Sequence, residues 1–390
     1  MSRIDILSIS QASFTSINRI IYRELKSRGW NIQLVVPSQL NFPGGKKNAD
    51  PIQNGDPFIH FLALEGNNPR IQKYHGLKKL LNELQPKIIH LDNDPASRMA
   101  ASLSIWCTRN GSSLVCQSCE NLSITLSSVY KREGLRGLPA AVAKNFFSFF
   151  SQRFCSHVFA ISNRGVEVFK ELGYVSVSKM PLGFDDKIFH EDAFARENIR
   201  QKKELTKTVF SYFGRLVPEK GVHLLIDALS NIKEIEWQLL MDDFSIYASP
   251  YINQIKDKIS QLGLTERVVY FHATHTEIAG YMNAADVVVL PSVSTPKWIE
   301  QYGRVVPEAM ACGKLVIVSN AGALPELVGE AGIVFNESDV QKLTEILRDI
   351  LAAPAKYEAY HHLASERAHA YLSVKEQAEI MDAKFRELAA

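Results

Sequence analysis

The chain has 390 residues, 46% of them hydrophobic and 22% charged, and its formal net charge is +2. This composition is that of an ordinary soluble protein, long enough for two domains of about 150–200 residues each. No apolar run approaches the ~18–20 residues of a membrane-spanning helix, and the first residues alternate like a strand rather than a signal peptide. Five cysteines without a paired framework indicate reduced thiols, so we expect a cytoplasmic protein.

The charges are spread unevenly along the chain. Residues 1–190 contain 23 Lys and Arg against 14 Asp and Glu, whereas the remaining residues contain 21 against 28. A basic first half beside an acidic second half suggests that one domain faces an anionic lipid or substrate. Solvated surfaces that merely differ in composition are the alternative.

Short apolar runs rich in Val, Ile and Phe alternate with helical patterns, which predicts parallel sheets covered on both faces. Six predicted strands lie in the first half, at 4–9, 32–36, 58–62, 88–91, 114–116 and 158–161. Six more lie in the second half, at 209–213, 237–241, 268–271, 287–290, 315–318 and 333–335. Two sets of six predict an α/β protein with two Rossmann-like, doubly wound domains. An eight-fold barrel is the rival, but a break in the middle of the chain argues against it.

That break is the charged segment 179–208, which opens with a proline and a glycine as a linker would. We therefore expect an N-terminal domain at 1–185 and a C-terminal domain at 205–372. The last residues, 373–390, are predicted to form a charged helix, for which packing back on the N-terminal domain is one arrangement. Open parallel sheets bind ligands at the carboxyl ends of their strands, so the loops after the strands are the candidate sites.

The first loop of the second half reads FGRLVPEKG and combines a glycine with two cations. Gly214 lets the backbone turn after the strand, and Arg215 and Lys220 follow before an amphipathic helix at 221–229. A guanidinium fork and a point charge near a helix N-terminus suit a phosphate or diphosphate. A well-capped turn with two solvated bases is the alternative.

The segment EQYGRVVPEAMACGK carries two glutamates, Glu300 and Glu308. Pro307 fits the first position of a helix, which places Glu308 in the first turn, at the positive end of the helix dipole. The helix is short and apolar on every side, and Gly313 is predicted to end it as a left-handed cap. Carboxylates accept hydrogen bonds from the hydroxyls of sugars and ribose, although Glu308 could instead simply favour the dipole.

Backbone N–H groups of Tyr302, Gly303, Arg304 and Val305 can point into the same cleft as the two glutamates. A third loop, at 319–326, offers small residues before another helix N-terminus. Cations, hydroxyl acceptors and backbone donors are therefore expected in one domain. A nucleotide diphosphate attached to a sugar has the matching parts.

GRLVPEKG, followed downstream by EQYGRVVPEAMACG and then AGALPELV, resembles the retaining family-4 glycosyltransferases of the GT-B fold. The match covers residues 205–345 in order and spacing. It implies two Rossmann-like domains facing across a cleft, with the donor on the second half and the acceptor on the first.

The resemblance also implies roles for individual residues. Arg215 and Lys220 would hold the donor diphosphate. Glu300 would contact the transferred sugar, and Glu308 would bind the ribose hydroxyls. No metal or other cofactor is implied, because cationic side chains and the helix dipole neutralise the leaving diphosphate.

The first half is similar to the family in outline and departs from it at two loops. The glycine-rich loop expected after the first strand reads SISQASFTS, where Ser10, Ala12 and Ser13 are small enough for close approach to a ligand. The catalytic-loop histidine expected after the fifth strand is missing, and Glu120 and Asn121 stand there instead. Either residue is a candidate contact to the acceptor or donor sugar, or else a helix cap.

Two acidic pairs need a separate interpretation. Asp92 and Asp94 imitate the metal-binding DxD of the other glycosyltransferase fold, but an aspartate directly before a proline predicts a helix N-cap rather than a metal ligand. Within 239–251, Asp242 and Asp243 stand where the family usually has a Gly-Asp-Gly-Pro turn, a difference that could alter contacts to the base or acceptor.

Residues 130–154 mix five basic side chains with five phenylalanines. A basic, aromatic helix can lie on an anionic membrane surface. A core-facing helix with a solvated basic side is the alternative. Together with the basic first half, this segment favours a lipid-linked or anionic acceptor and a peripheral position at the inner face of a membrane.

These patterns and the resemblance predict a glycosyltransferase that moves a sugar, with retention, from a nucleotide-diphosphate sugar to a hydroxyl of a glycan or lipid-linked acceptor. Cell-surface polysaccharide synthesis is the expected setting, and no nucleic acid partner is expected. One alternative is a sugar-nucleotide epimerase or hydrolase of the same fold. Another is a nucleotide-sugar-binding protein that has lost catalysis. The sequence names neither the base, the sugar nor the acceptor.

Overall fold

A computed structural model describes residues 3–42, 45–243 and 249–390 of the chain. The chain divides into two compact units. The first unit comprises Met1–Gly183 and Val374–Ala390, and the second comprises Phe184–Ser373. The chain therefore leaves the first unit once and returns to it with its last helix.

The first unit is built on a parallel sheet. Its strands in chain order are β1 (Ile6–Ser10), β2 (Ile32–Pro37), β3 (Gln39–Phe42), β4 (Gly45–Asn48), β5 (Phe58–Leu62), β6 (Leu64–Glu65), β7 (Lys73–Tyr74), β8 (Ile88–Asp92), β9 (Ser113–Ser118), β10 (His157–Ala160) and β11 (Val177–Lys179). Within the described residues the parallel sheet has seven strands, in the order β11-β10-β9-β8-β1-β2-β5. The short pairs β3–β4 and β6–β7 are antiparallel.

The second unit contains the strands β12 (Val209–Tyr212), β13 (Gln238–Asp242), β14 (Val268–Phe271), β15 (Val287–Leu290), β16 (Leu315–Ser319) and β17 (Ile333–Phe335). In the described part of this unit they form a parallel sheet in the order β14-β13-β12-β15-β16-β17. Strands β15 and β16 are buried along their whole length, as expected for strands covered on both faces. The prediction of two doubly wound parallel sheets is confirmed.

Each of the twelve predicted strands is present, with ends that shift by one or two residues. Strand β11 was not predicted, because its three residues are half-buried or exposed and show no apolar run. The short pairs β3–β4 and β6–β7 were not predicted either, because none of these strands is a continuous apolar run.

Helices connect the strands and cover the sheets. They are α1 (Ile20–Ser27), α2 (Leu77–Leu84), α3 (Arg98–Asn110), α4 (Leu126–Glu133), α5 (Leu138–Phe154), α6 (Asn163–Glu171), α7 (Ala193–Lys202), α8 (Val222–Ser230), α9 (Pro250–Gln261), α10 (Ile278–Ala284), α11 (Val305–Ala311), α12 (Leu324–Val328), α13 (Val340–Ala352), α14 (Glu358–Tyr371) and α15 (Val374–Ala389). Within the described residues, no helix combines the length and the hydropathy needed to cross a bilayer.

The last helix, α15, completes the core of the first unit. It packs against α1, and its apolar residues recur at helical spacing, so that Met381 and Phe385 are fully buried in the core beside β1, β2 and β8. The indole N–H of Trp30 donates a hydrogen bond to Asp382 at 2.7 Å. Residues 374–390 therefore belong structurally with the beginning of the chain.

Candidate functional site

The strand order of the second unit places a crevice at the carboxyl edge of its sheet. Strands β12 and β15 are neighbours, but the chain proceeds from them toward opposite sides of the sheet. A crevice between such strands is the usual ligand site of a doubly wound sheet. The loops 213–221 and 291–304 follow these two strands, and they carry the predicted cations and the first predicted glutamate.

Lys220 and Glu300 meet at this edge. The Lys220 Nζ lies 2.6 Å from Glu300 Oε2, and the Ser292 hydroxyl donates to the same oxygen at 2.8 Å. The Lys220 side chain is 17% exposed and that of Glu300 only 5%. A carboxylate this deeply buried needs compensating donors, and these contacts hold it in one position. The contribution of Ser292 was not predicted, because a serine two residues after a strand is too common to stand out.

Trp298 also lies beside the lysine. Its ring centroid is 5.3 Å from Lys220 Nζ, within the range of a cation–π contact. The sequence contained one signal for this residue, an aromatic side chain in a loop between two predicted site elements. Trp298 was nevertheless not predicted as a site residue.

A glycine lets the first loop pack against the second. Gly221 has φ of +67°, and a Cβ placed there would lie 1.9 Å from the carbonyl oxygen of Pro291. The N–H of Val293 donates to the Glu219 carbonyl at 2.8 Å. The loop that carries Lys220 is thus bound backbone to backbone to the loop after β15.

The third predicted loop contacts Glu300 through its backbone. The Ala323 N–H donates to the Glu300 carbonyl at 3.1 Å. Gly322 has φ of +52°, and a Cβ on it would lie 2.0 Å from that same carbonyl oxygen. Three loops that are distant in the sequence therefore converge on Glu300.

Helix α11 holds Glu308 in its first turn, as predicted. The helix begins at Val305, two residues before the predicted start at Pro307, and the Val306 N–H donates to the Gly303 carbonyl at 2.8 Å. Gly313 follows the helix with φ of +66°, which confirms the predicted left-handed ending.

Glu308 is buried, and its charge is only weakly compensated. Burial raises the pKa of its carboxyl from 4.5 to about 7, and the Arg304 guanidinium opposes this shift. The distance from Arg304 Nε to Glu308 Oε1 is 3.9 Å, and the arginine side chain is nearly half exposed. Burial therefore favours the protonated form of this carboxyl at pH values where an exposed glutamate is ionised.

This raised pKa predicts a pH-dependent stability. Between pH 4.5 and 7 the folded protein holds the Glu308 proton more firmly than the unfolded chain, so the free energy of unfolding falls as the pH rises through this window. The loss should reach up to about 3 kcal/mol, since each pKa unit corresponds to about 1.4 kcal/mol. Urea unfolding of the ligand-free protein across this range should show the decline, and Glu308→Gln should remove this part of it. Parallel curves for both proteins would contradict the prediction.

The predicted cation Arg215 is exposed, and in the described part of the chain its guanidinium has no ion pair. Its backbone is fixed, because the Tyr212 hydroxyl donates to the Arg215 carbonyl at 2.8 Å. Burial raises the pKa of this hydroxyl well above its usual value, the nearby Tyr251 and Glu300 raise it further and Arg215 opposes them. Tyr212 therefore stays protonated and holds the turn that begins at Gly214, leaving the arginine side chain available to a ligand.

In the first unit, the predicted serines belong to a buried network. The Ser10 hydroxyl donates to Asp92 Oδ2 at 2.6 Å, and both the N–H and the hydroxyl of Ser13 donate to Ser10 Oγ at 3.1 and 2.9 Å. Burial raises the pKa of Asp92, and the hydrogen bond from Ser10 opposes this. Ser10 and Ser13 have no exposed surface, whereas Ala12 is exposed.

Glu120 is held by an arginine that the sequence analysis did not consider. Arg70 forms ion pairs with Asp94 at 2.5 Å and with Glu120 at 2.6 Å. Asn121 is buried, and its carbonyl accepts a hydrogen bond from Arg164 at 2.8 Å. Arg70 lies in a loop with no periodic pattern, so no signal connected it to Glu120.

The prediction that Asp94 caps helix α3 is wrong. The cap is Ser97, whose hydroxyl accepts a hydrogen bond from the Ala100 N–H at 3.2 Å. Asp94 accepts instead from the Ala96 N–H at 2.8 Å, which forms a tight turn before the helix. The proline after Asp94 therefore belongs to that turn and not to the helix.

A polar cavity of about 390 Å³ lies in the first unit near the ends of β2 and β5. Side chains with carboxamide groups dominate its wall, together with one lysine, and they are Gln11, Gln39, Asn41, Asn67, Gln72 and Lys46. A carboxamide both donates and accepts hydrogen bonds, which suits a neutral hydroxyl-bearing ligand. This cavity was not predicted, because its residues come from separate segments of the chain.

Asp242, Asp243 and His272 come together at the ends of β13 and β14. Their ligand atoms lie within 4.8 Å of one another, and His272 Nδ1 is 3.8 Å from Asp242 Oδ1. The segment 239–251, which differs from the family's usual Gly-Asp-Gly-Pro turn, includes residues 244–248, and these lie outside the described residues. The three side chains are close enough to share a cation, but His272 is exposed.

Comparison with known proteins agrees with the geometry of the second unit. Residues 195–367 match the family described as Glycosyl transferases group 1. A GDP-mannose-dependent alpha-(1-6)-phosphatidylinositol monomannoside mannosyltransferase from Mycolicibacterium smegmatis is 30% identical over 190 residues, which are 47% of this chain and 49% of that protein. A lipopolysaccharide 1,2-N-acetylglucosaminetransferase from Salmonella typhimurium is 26% identical over 227 residues, 56% of this chain and 57% of that protein. The chain thus spans about half the length of the curated relatives it matches.

A solved structure extends the likeness to both units. HepE from Anabaena, determined in complex with UDP, matches 99% of this chain and 100% of its own with a TM-score of 0.74 and 20% sequence identity. A likeness at this identity establishes the fold, and the predicted GT-B architecture is confirmed. Residues 195–367, somewhat less than half of the chain, are thus similar to the group 1 glycosyl transferases.

Proposed function

We propose that the protein is a retaining glycosyltransferase that moves a sugar from a nucleotide-diphosphate sugar to a hydroxyl of a glycan or lipid-linked acceptor. The observation that carries this proposal is the contact of Lys220 with Glu300, made by loops 80 residues apart at the switch point of the sheet. Both residues lie within the segment that matches the family. A cation and a buried carboxylate side by side suit the junction between a diphosphate and a sugar.

Different site residues bind different parts of the donor. Arg215 and Lys220 bind the diphosphate, since both lie on the loop that leads into α8, whose first backbone N–H groups favour an anion. Glu300 accepts hydrogen bonds from hydroxyls of the transferred sugar. Glu308 binds the ribose hydroxyls from the first turn of α11. The turn from Gly214 and the backbone of residues 302–305 complete the donor site.

The proposed chemistry is mainly electrostatic. The bond between the anomeric carbon and the diphosphate oxygen breaks, and its electron pair leaves with the diphosphate. The acceptor oxygen attacks from the same face and passes its proton to the departing phosphate. Lys220 and Arg215 stabilise the negative charge that develops on the leaving group, which is the largest contribution the protein makes. We expect no metal requirement, so activity should survive treatment with EDTA.

The first unit is proposed to bind the acceptor. Its carboxamide-lined cavity suits a glycan, because each amide can pair with a sugar hydroxyl in either direction. The names of the relatives above concern a phosphatidylinositol mannoside and a lipopolysaccharide, which supports an acceptor of the cell surface. Ala12 is exposed and follows Gln11, a residue of the cavity wall, whereas Ser10, Ser13, Glu120 and Asn121 would act through the loops they fix. Contact with an anionic membrane is part of the same proposal.

A thermal-shift screen tests the donor proposal. A nucleotide sugar at 100 times its Kd stabilises the folded protein by about 2.7 kcal/mol, which raises the Tm by several degrees. UDP-glucose, GDP-mannose and their bare nucleoside diphosphates should be compared at equal concentrations. At least one nucleotide sugar should raise the Tm of the natural protein and have much less effect on Arg215→Ala. If no nucleotide sugar shifts the Tm, the proposed function is wrong.

The two glutamates should respond differently to the loss of their charge. Glu308→Gln is expected to weaken donor binding about tenfold, with little change in kcat, because the ribose contact is the same in the ground and transition states. Glu300→Gln should mainly lower kcat, because the sugar changes its shape and charge during transfer. Steady-state release of the nucleoside diphosphate separates the two effects. A fall in kcat for Glu308→Gln with an unchanged KM would overturn the assignment.

A further inference from the structure

Helix α5 buries small and polar residues and exposes large apolar ones, the opposite of an ordinary surface helix. Its buried positions are occupied by Ala141, Ser148 and Ser151. Its solvent side carries Val142, Phe146 and Phe149, which are 55%, 60% and 59% exposed. The spacing of these three residues places them on one face, and we refer to them as the α5 apolar face. Surface helices normally place their large apolar side chains toward the core.

Hydrogen bonds fix this orientation of the helix. The Ser151 hydroxyl lies 2.7 Å from the Pro95 carbonyl oxygen and 2.6 Å from the Tyr174 hydroxyl, and the Asn145 amide donates to the Ile124 carbonyl at 2.7 Å. A rotation of the helix that buried the phenylalanines would break these hydrogen bonds. The Pro95 and Ile124 carbonyls and the Tyr174 hydroxyl would then lose their partners. The outward position of Phe146 and Phe149 is therefore built into the fold.

Exposed cations precede and follow the α5 apolar face along the chain. Lys131, Arg136 and Arg153 are exposed, and none of them forms an ion pair with another described residue. The only acid between positions 126 and 154 is Glu133, and it is occupied by Arg132 at 3.1 Å. Helical spacing places Arg153 on the same face as Phe146 and Phe149, while Lys131 and Arg136 lie on the elements just before α5. This part of the chain therefore combines exposed apolar side chains with positive charge.

The neighbouring helix extends the patch. Helix α4 packs against α5 and against the short 3-10 turn at 134–137 that joins them. These two elements expose Leu126, Tyr130 and Leu135. Exposed apolar side chains on elements that pack together usually mark a contact with a protein or a membrane.

We infer that the α5 apolar face, together with Lys131, Arg136 and Arg153, docks on the surface of an anionic phospholipid membrane. The phenylalanines would enter the boundary between headgroups and acyl chains, and the cations would bind the lipid phosphates. The charge pattern favours lipid over a protein partner, because cations without acids around an aromatic face complement a uniformly negative surface. The inference extends the proposed function, since a lipid-linked acceptor would be presented at that surface.

Vesicle co-sedimentation at low ionic strength tests the inference. The probes are vesicles of phosphatidylcholine alone and vesicles with equal parts of phosphatidylglycerol and phosphatidylcholine. The natural protein should bind the mixed vesicles and bind phosphatidylcholine far more weakly. Phe146→Ser with Phe149→Ser should reduce binding at least about tenfold, because the inserted rings supply the apolar area. Neutralising Lys131, Arg136 and Arg153 to Gln should reduce it about fivefold per cation.

The chain offers a matched control in Phe194, which lies on α7 in the second unit and is 81% exposed. Phe194→Ser should bind the mixed vesicles like the natural protein. Donor affinity should be unchanged in all of these variants, so a failure of vesicle binding would remove the membrane contact and leave the proposed sugar transfer standing. Equal vesicle binding by the natural protein and the double phenylalanine variant would overturn the inference. So would a dimer in sedimentation velocity that the double variant abolishes, because the face would then bind a second copy.

Discussion

Replacing Lys220 with alanine is expected to lower the rate of donor turnover by about 10²–10³, the usual effect of removing one preorganised group that stabilises the transition state. The lysine lies at the carboxyl edge of the sheet, beside the crevice between β12 and β15, and it contacts Glu300. Its loss removes the positive charge that faces the diphosphate and one hydrogen-bond donor to the Glu300 carboxylate. Glu300 keeps the Ser292 hydroxyl but becomes a buried acid with one donor fewer. We expect a loss of roughly 1–3 kcal/mol in the free energy of unfolding from that change.

The measurement is the release of nucleoside diphosphate from the donor identified by thermal shift. Lys258→Ala is a suitable control, because Lys258 is also a lysine of the second unit in an ion pair, with Asp227 at 2.7 Å, but both side chains are about one-third exposed. Such a surface pair contributes about 0–1 kcal/mol, and its loss should leave turnover unchanged. Natural turnover in Lys220→Ala would remove the lysine from the proposed chemistry.

Gly322→Ala should strongly disturb the packing around Glu300. The glycine has a positive φ of +52°, and the new Cβ would overlap the Glu300 carbonyl oxygen at 2.0 Å. The loop must move, and the hydrogen bond from the Ala323 N–H to that carbonyl is then lost or lengthened. We expect the free energy of unfolding to fall by about 2–4 kcal/mol, from backbone strain and the displaced contact together. Because Glu300 moves with the loop, donor turnover should fall at least tenfold.

Gly280→Ala provides the comparison within the same unit. Gly280 lies inside α10, and a Cβ there would be 3.6 Å from the nearest atom, an ordinary contact. That variant should be more stable by roughly 0.5–1 kcal/mol, as expected for a glycine replaced inside a helix. Urea unfolding and nucleoside diphosphate release would be measured for both. A Gly322→Ala protein with natural stability and turnover would contradict the proposed packing around Glu300.

The sheets could be predicted because their strands are almost entirely apolar. Val287–Leu290 and Leu315–Ser319 are buried along their length, so the sequence shows uninterrupted runs of valine, leucine and isoleucine. The strand order brings the loops after β12 and β15 together, which is why residues named from separate motifs meet in space. Gly214, Pro307 and Gly313 indicated a turn, the first turn of a helix and a helix end. These local features could be predicted because each depends on the backbone conformation near its own position.

The contacts between distant segments could not be predicted. Arg70 binds Asp94 and Glu120 from a loop 24 and 50 residues away, and nothing in the sequence near it indicates these partners. Ser10 was considered for its small size, but its hydroxyl is used by Asp92 on the neighbouring strand. Pairings of this kind depend on strand register, which apolar periodicity does not reveal. The reversed face of α5 was equally hidden, because composition alone leaves open which side of a helix is buried.

The most direct test compares the affinity of a nucleotide sugar with that of its bare nucleoside diphosphate by isothermal titration calorimetry. Glu300→Gln should weaken the binding of the sugar conjugate and leave that of the nucleoside diphosphate unchanged or tighter, because Lys220 is then free for the diphosphate. Glu308→Gln should weaken the binding of both ligands to the same extent, since both carry the ribose. If the two variants lose affinity in the same way, or if neither loses any, the proposed division of the donor between Glu300 and Glu308 is contradicted.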